Sequence, residues 1–165
     1  MIVCFKKKQP HIPYTRINDT VIERITVQKL LGVKINNTLS WSDHIDYIYG
    51  KASKRLYFLT LLRRSGLSTK HLLMYYTSII RPVVEYACPL WHNGLTRDQS
   101  HLLELVQKRA LKIIFSSKSH QNSVTVINTL QQRRDLLCQS FFMITCVSTD
   151  KLNYLIEITS TRTRH

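Results

Sequence analysis

Two regimes of apolar and polar alternation divide the chain. In residues 1–35 apolar positions recur in short runs, at 2–5, 14–17, 20–26 and 29–35, and these predict β-strands. Asn18-Asp19 separates the second run from the third, and both residue types tolerate the left-handed conformation of a two-residue hairpin turn. Asn36-Asn37 closes the last run. Strands this short are marginal alone in water, so they predict the edge of a larger sheet.

From Ser40 the apolar spacing becomes helical. Ser40 with Asp43 predicts an N-cap, and a long helix follows to residue 65 with Ile45, Ile48, Ala52, Leu56 and Leu59 on its inner face. Gly66 supplies the stop. Lys51, Lys54, Arg55, Arg63 and Arg64 fall on the remaining surface; Tyr47, Tyr49, Tyr57 and Phe58 offer a choice between stacking on bases and packing, and their helical spacing favours core or rim. A second helix opens at Ser68 or Thr69 and carries Leu72, Leu73, Tyr75, Tyr76, Ile79 and Ile80 inward until Pro82 kinks or divides it. Residues 83–91 resume the helix, with Trp91 as anchor and Glu85 needing a partner, for which Arg81 is the expectation.

Thr96 and Gln99 form a capping box for a helix through residue 115, with Leu102, Leu103, Val106, Ala110, Ile113 and Ile114 inward and Lys108, Arg109 and Lys112 crowding its second half. A polar loop at 116–123 leads to a final helix over 124–148, expected to bury Leu130, Leu136, Leu137, Phe141 and Ile144 around Arg133-Arg134. The fold class that follows is mainly α: short N-terminal strands or a β-hairpin, then a bundle of about four to six helices. Three segments are expected: 1–39, 40–150 and a frayed basic tail at 151–165.

Charge narrows the partner. The 24 Lys and Arg against 10 Asp and Glu leave a formal charge of +14, so the expected partner is polyanionic, with nucleic acid ahead of a membrane surface. No apolar run approaches the roughly 20 residues that span a bilayer, and the N-terminus does not read as a signal sequence, so a cytoplasmic or nuclear setting is expected. Cys4, Cys88, Cys138 and Cys146 are far apart and predict reduced, mostly buried thiols rather than a zinc site.

The order of the segments carries a resemblance. Residues 29–35 (KLLGVKI), 39–45 (LSWSDHI), 51–59 (KASKRLYFL), 76–91 (YTSIIRPVVEYACPLW) and 103–114 (LELVQKRALKII) together resemble the part just beyond the palm of non-LTR (LINE-type) retrotransposon reverse transcriptases. The resemblance implies that Leu31-Gly32-Val33 corresponds to a hairpin gripping the primer terminus, a remnant of the palm edge. It also implies that the helices after Ser40 form a thumb that tracks an RNA or DNA template-primer duplex by its backbone. Lys51, Lys54, Arg55, Arg63, Arg64, Lys108, Arg109 and Lys112 are then the candidate phosphate contacts. The family's paired catalytic aspartates would lie upstream of Met1.

That placement agrees with the chemistry. Nucleotidyl transfer uses two metal ions held by converging carboxylates, and no Asp-Asp pair occurs here, so no catalytic residue, cofactor or metal is expected in this chain; the parent polymerase would use a divalent metal such as Mg. A related block resembles the N-terminal domain of an AlkB-type dioxygenase homologue. His44 and Asp46 have the spacing of two oxygenase iron ligands, yet on a helix they lie about 200° apart, and Asp43 and Asp46 read as compensation of the helix dipole. His71, His92, His101 and His120 show no ligand spacing and read as surface or capping residues.

Three readings follow. The first is a catalytically inert remnant that binds template-primer without sequence preference. The second is a helical module that self-associates or binds protein through apolar surface once covered by the palm. The third is a fragment of an active RNA-directed DNA polymerase.

Overall fold

A computed structural model describes Met1 and residues 16–115 and 128–147, apart from the side chains of Cys146 and Val147. The expected strand at 2–5, the loop at 116–123, the start of the last helix and the tail at 151–165 lie outside the described residues.

Two antiparallel hairpins come first, β1 (Arg16–Ile17) with β2 (Thr20–Val21), and β3 (Val27–Leu30) with β4 (Val33–Asn36). Asn18 and Asp19 form the expected turn at φ 47° and 62°. The run at 20–26 is paired only over its first two residues. Residues 29–35 are not one strand: Leu31 and Gly32, at φ 47° and 88°, reverse the chain, because a two-residue turn matching strand twist needs positive φ at both positions.

Helix α1 (Ser42–Arg64) starts two residues later than its expected cap. No side-chain hydrogen bond caps the helix at Trp41; both expected capping residues are engaged by Asn36 instead. Its Oδ1 accepts from the Ser40 amide at 2.7 Å and its Nδ2 donates to Asp43 at 2.9 Å, so the end of β4 organises the entry into the helix. At the other end Gly66, at φ 85°, and Leu67 donate to Arg63 and Leu62, a Schellman closure.

Helix α2 (Thr69–Tyr75) continues through a π-helical turn (Tyr76–Ile80) into α3 (Arg81–Glu85). The π-turn sits immediately before Pro82, which lacks an amide and whose ring crowds the carbonyl four residues back. The proline is thus absorbed, and the break falls later, at Tyr86-Ala87, where Ala87 turns left-handed at φ 52°. The short helix α4 (Cys88–Trp91) and a 3-10 turn (His92–Gly94) lead to α5 (Arg97–Phe115). Both capping-box bonds form: Thr96 N–H donates to Gln99 Oε1 at 3.0 Å, and Gln99 N–H to Thr96 Oγ1 at 3.2 Å. Helix α6 (Leu130–Val147) opens with a second box, Thr129 with Gln132, and its first amides also donate to Glu104.

The core lies where α1, α5 and the α2–α4 run converge. Ile45, Ile48, Ala52, Leu56 and Leu59 of α1 meet Leu72, Tyr76, Ile80, Val84 and Trp91 on one side and Leu103, Val106, Ala110 and Ile114 on the other. Trp91 is fully buried, donates from Nε1 to the Tyr86 carbonyl at 3.0 Å, and packs edge-on to His44. Buried Tyr76 donates to Gln107, which donates to the Asn128 carbonyl, so one polar relay joins the π-turn, α5 and the approach to α6.

Helix α6 departs most from expectation. Leu130 is buried, but Leu136, Leu137, Phe141 and Ile144 are exposed, and the helix packs instead through Arg133, Arg134 and Cys138. Arg133 forms a two-point pair with Glu85, at 2.6 and 3.2 Å, whereas Arg81 stands 3.9 Å away. A guanidinium fork matches a carboxylate, which favours the distant arginine over the helical neighbour. Arg134 is fully buried beneath Trp91 and donates from Nε to His92 Nδ1 at 3.3 Å. His92 is therefore no surface residue; its Nε2 meets Asp135 at 2.7 Å.

Glu85→Gln should lower the thermal midpoint by several degrees, corresponding to about 2 kcal/mol for a charge-assisted pair. Arg81→Ala should change it little. Calorimetry of both variants checks the assignment, and equal losses would reject it.

Candidate nucleic-acid interface

The β3–β4 hairpin lies against α1 because Val33 is buried and because the Lys34 amide donates to His44 Nδ1 at 3.3 Å. Tyr86, just beyond α3, holds the turn from the other side: its hydroxyl donates to the Leu31 carbonyl at 2.8 Å. A Cβ at Gly32 would stand 3.1 Å from the Tyr86 ring, so a side chain here would displace that ring by a few tenths of an ångström in addition to the strain of its positive φ. Leu31 is left at the tip, 85% exposed.

This docking creates a cleft of about 280 Å³ between the hairpin, α1 and α3, lined by Lys29, Gly32, Tyr47, Lys51, Arg55, Pro82 and Tyr86 among others. Tyr47 is its focus. The ammonium groups of Lys29, Lys34 and Lys51 stand 5.2, 5.1 and 5.0 Å from the ring centroid, and Lys51 also donates to the phenol oxygen. Hydrogen bonds from Lys29 and Lys51 hold the Tyr47 phenol below its ordinary pKa, since they favour the phenolate.

Lys29 and Lys34 are direct cross-strand partners, a like-charge arrangement that costs stability in a bare hairpin. The electron-rich face of Tyr47 offsets part of that repulsion. Among the described residues none of Lys29, Lys34, Lys51 or Arg55 is paired with a carboxylate. The cleft is a fixed concentration of positive charge with an aromatic floor.

On the flank of α1 facing α5, a second groove of about 280 Å³ runs between the two helices, lined by Ser53, Leu56, Tyr57, Thr60, Arg109, Lys112 and Ile113. Arg109 is oriented by donating to the Tyr49 hydroxyl at 3.0 Å. The fold therefore gathers Lys51 with Arg55 in one cleft and Arg109 with Lys112 in another. Lys54 is exposed on the outer face of α1. Lys108 is exposed outside both grooves, and Arg63 and Arg64 occupy the last turn of α1, where they complement the helix dipole.

Sequence reasoning did not single out Lys29 and Lys34 as site residues, and it favoured packing over base stacking for Tyr47 and Tyr86. One signal was available, because two lysines bracketing Leu30-Leu31-Gly32-Val33 face each other if the chain turns at Leu31-Gly32. Tyr57 and Phe58 are not core residues either. They are 61% and 54% exposed and meet edge-to-face at 5.9 Å.

Other candidate chemistry disperses. His44 is buried with Nδ1 engaged by the hairpin, while Asp46 is exposed, so the two do not converge as ligands. Among the described residues no group of three or more His, Cys, Asp or Glu could hold a metal ion. Cys88 and Cys138 are free thiols; burial pushes Cys88 up to about 12 and also raises Cys138, which opposes thiolate chemistry. Among the described residues no helix is long and apolar enough to cross a membrane.

Comparisons with known proteins give two matches. The chain is 28% identical over 116 residues to a probable RNA-directed DNA polymerase from transposon X-element of Drosophila melanogaster, a match covering 68% of this chain and 12% of that protein. Residues 41–81, which comprise α1, α2 and the π-turn, match the family model described as alkylated DNA repair protein alkB homolog 8, N-terminal. No solved structure matches. The chain is thus similar to a small part of a transposon polymerase.

His44 supplies a pH test of hairpin docking. Burial, reinforced by Lys34, holds its pKa below the ordinary 6.5, so the unfolded chain binds the proton at a higher pH than the folded one. Stability should fall as pH drops through about 6.5 toward the lower folded-state value. Urea titrations should show that fall in the native chain and a shallower one in His44→Gln; identical slopes would remove His44 from the linkage.

Proposed function

We propose that this chain is the post-palm, thumb-like part of a retrotransposon reverse transcriptase, and that it binds template-primer nucleic acid by its backbone without reading sequence. The observation that carries the reading is the convergence of Lys29, Lys34 and Lys51 on Tyr47, next to Arg55 and the Leu31-Gly32 turn. Cations without carboxylate partners gain most from phosphates, since binding releases the counterions condensed on the polyanion. Lys112 and Arg109 extend the positive surface along the far side of α1. The turn held by Tyr86 supports a gripping role for Leu31, Gly32 and Val33.

DNA synthesis belongs, on this reading, to a longer protein whose aspartates hold divalent metal. The described residues do not fit that arrangement, having no converging carboxylate set.

A second reading rests on α6, where Phe141, Phe142, Met143 and Ile144 are all exposed. An exposed apolar turn of this kind favours self-association or a protein partner. Charge reversal at Lys108, Arg109 and Lys112 separates the two, because association driven by apolar contact survives it in light scattering and phosphate binding does not.

For the first reading, the affinity for a labelled RNA·DNA hybrid should fall steeply with salt and vary little with sequence. Lys51→Glu should weaken binding about tenfold and reduce the salt slope by about one. Absence of hybrid retention at low salt, with the chain folded by circular dichroism, would remove this function.

A further inference from the structure

Tyr57 and Phe58 stand on the outer face of α1 as an exposed edge-to-face pair, although a solvated helix would satisfy the fold equally with polar residues there. Their surroundings are cationic on each side. Lys54 lies three residues before Tyr57 and four before Phe58, so it shares their face one turn earlier. Tyr57 lines the groove that carries Arg109 and Lys112, and Phe58 follows Arg55, which lines the cleft with Lys29 and Lys51. Two aromatic rings therefore sit on a ridge between two positively charged grooves.

We infer that this ridge is a stacking platform for the bases of an unpaired strand whose phosphates run in the flanking grooves. The inference rests on the nucleic-acid reading and names its substrate class: single-stranded RNA or DNA, or the unpaired stretch beside a duplex. In an intact duplex both faces of an internal base are covered by its neighbours, so protruding rings have nothing to stack on. An unpaired strand offers every base face, and stacking of this kind tolerates any sequence. The Lys and Arg side chains then supply the salt-dependent part of the affinity, and the rings supply a part that salt does not screen. Both rings are outside the buried core, so they can be removed without emptying it.

The test uses the full chain, a mixed-sequence single-stranded oligonucleotide and a blunt duplex of equal phosphate number, with binding followed by fluorescence anisotropy across a salt series. Tyr57→Ala and Phe58→Ala should each weaken the single strand roughly tenfold, leave its salt slope unchanged, and leave the duplex unaffected. Tyr57→Trp and Phe58→Trp should retain single-strand binding. Lys51→Glu should weaken both ligands and lower the slope. Unchanged single-strand affinity in both alanine variants, or equal losses for strand and duplex, would overturn the platform while leaving the backbone-binding function intact. A shift in oligomeric state with no change in oligonucleotide binding would assign the ridge to protein contact and equally overturn it. Failure of the native chain to bind either ligand would instead overturn the function on which the inference rests.

Discussion

The packing of α1 against α5 is the interaction on which the rest depends. It is the most extensive contact between elements in the described chain, and each helix presents a fully buried alanine, Ala52 and Ala110, within its inner face. Small residues at such positions let helix axes approach, and larger aliphatics on either side close the seam. With α1 held in this way, its two flanks become walls: one faces the hairpin and α3, the other faces α5. Both positively charged grooves are consequences of that placement.

A second layer of constraint is polar. Asn36 ties the end of β4 to the start of α1, His44 accepts from the hairpin backbone, Glu104 receives the first amides of α6, and Glu85 takes Arg133 across 48 residues of chain. Partly buried polar groups of this kind cost free energy when unpaired, so each specifies a unique neighbour more sharply than apolar contact does. The division of the basic residues follows from it. Arg133 and Arg134 serve the fold, whereas Lys29, Lys34, Lys51 and Arg55 have no carboxylate partner among the described residues.

Similarity to a transposon polymerase gives these features a common context without deciding them. The match covers a small share of that protein, and α1 and α2 also match a family model from a DNA-repair protein. A fold does not by itself carry chemistry, so neither match assigns an activity to these helices. His44 illustrates the point: ligand-like in spacing, it is committed to holding a hairpin and facing Trp91.

Local information was sufficient for much of the architecture. The inner face of α1, the Thr96–Gln99 box, the Asn18-Asp19 turn and the Gly66 stop depend on residues within a few positions of one another, and all are legible in the sequence. The turn at Leu31-Gly32 was harder to read, since leucine is a poor turn residue and an apolar run masks it; Tyr86, 55 residues away, supports it. Tertiary structure likewise decided that Arg133 rather than Arg81 holds Glu85, that α6 turns arginines inward and phenylalanines outward, and that Tyr57 and Phe58 are exposed. Helical periodicity shows which residues share a face, but only the neighbouring elements determine whether that face is covered. Charge by itself made a polyanionic partner the expectation, and the fold decided which cations pair with a carboxylate among the described residues, because that depends on which elements meet.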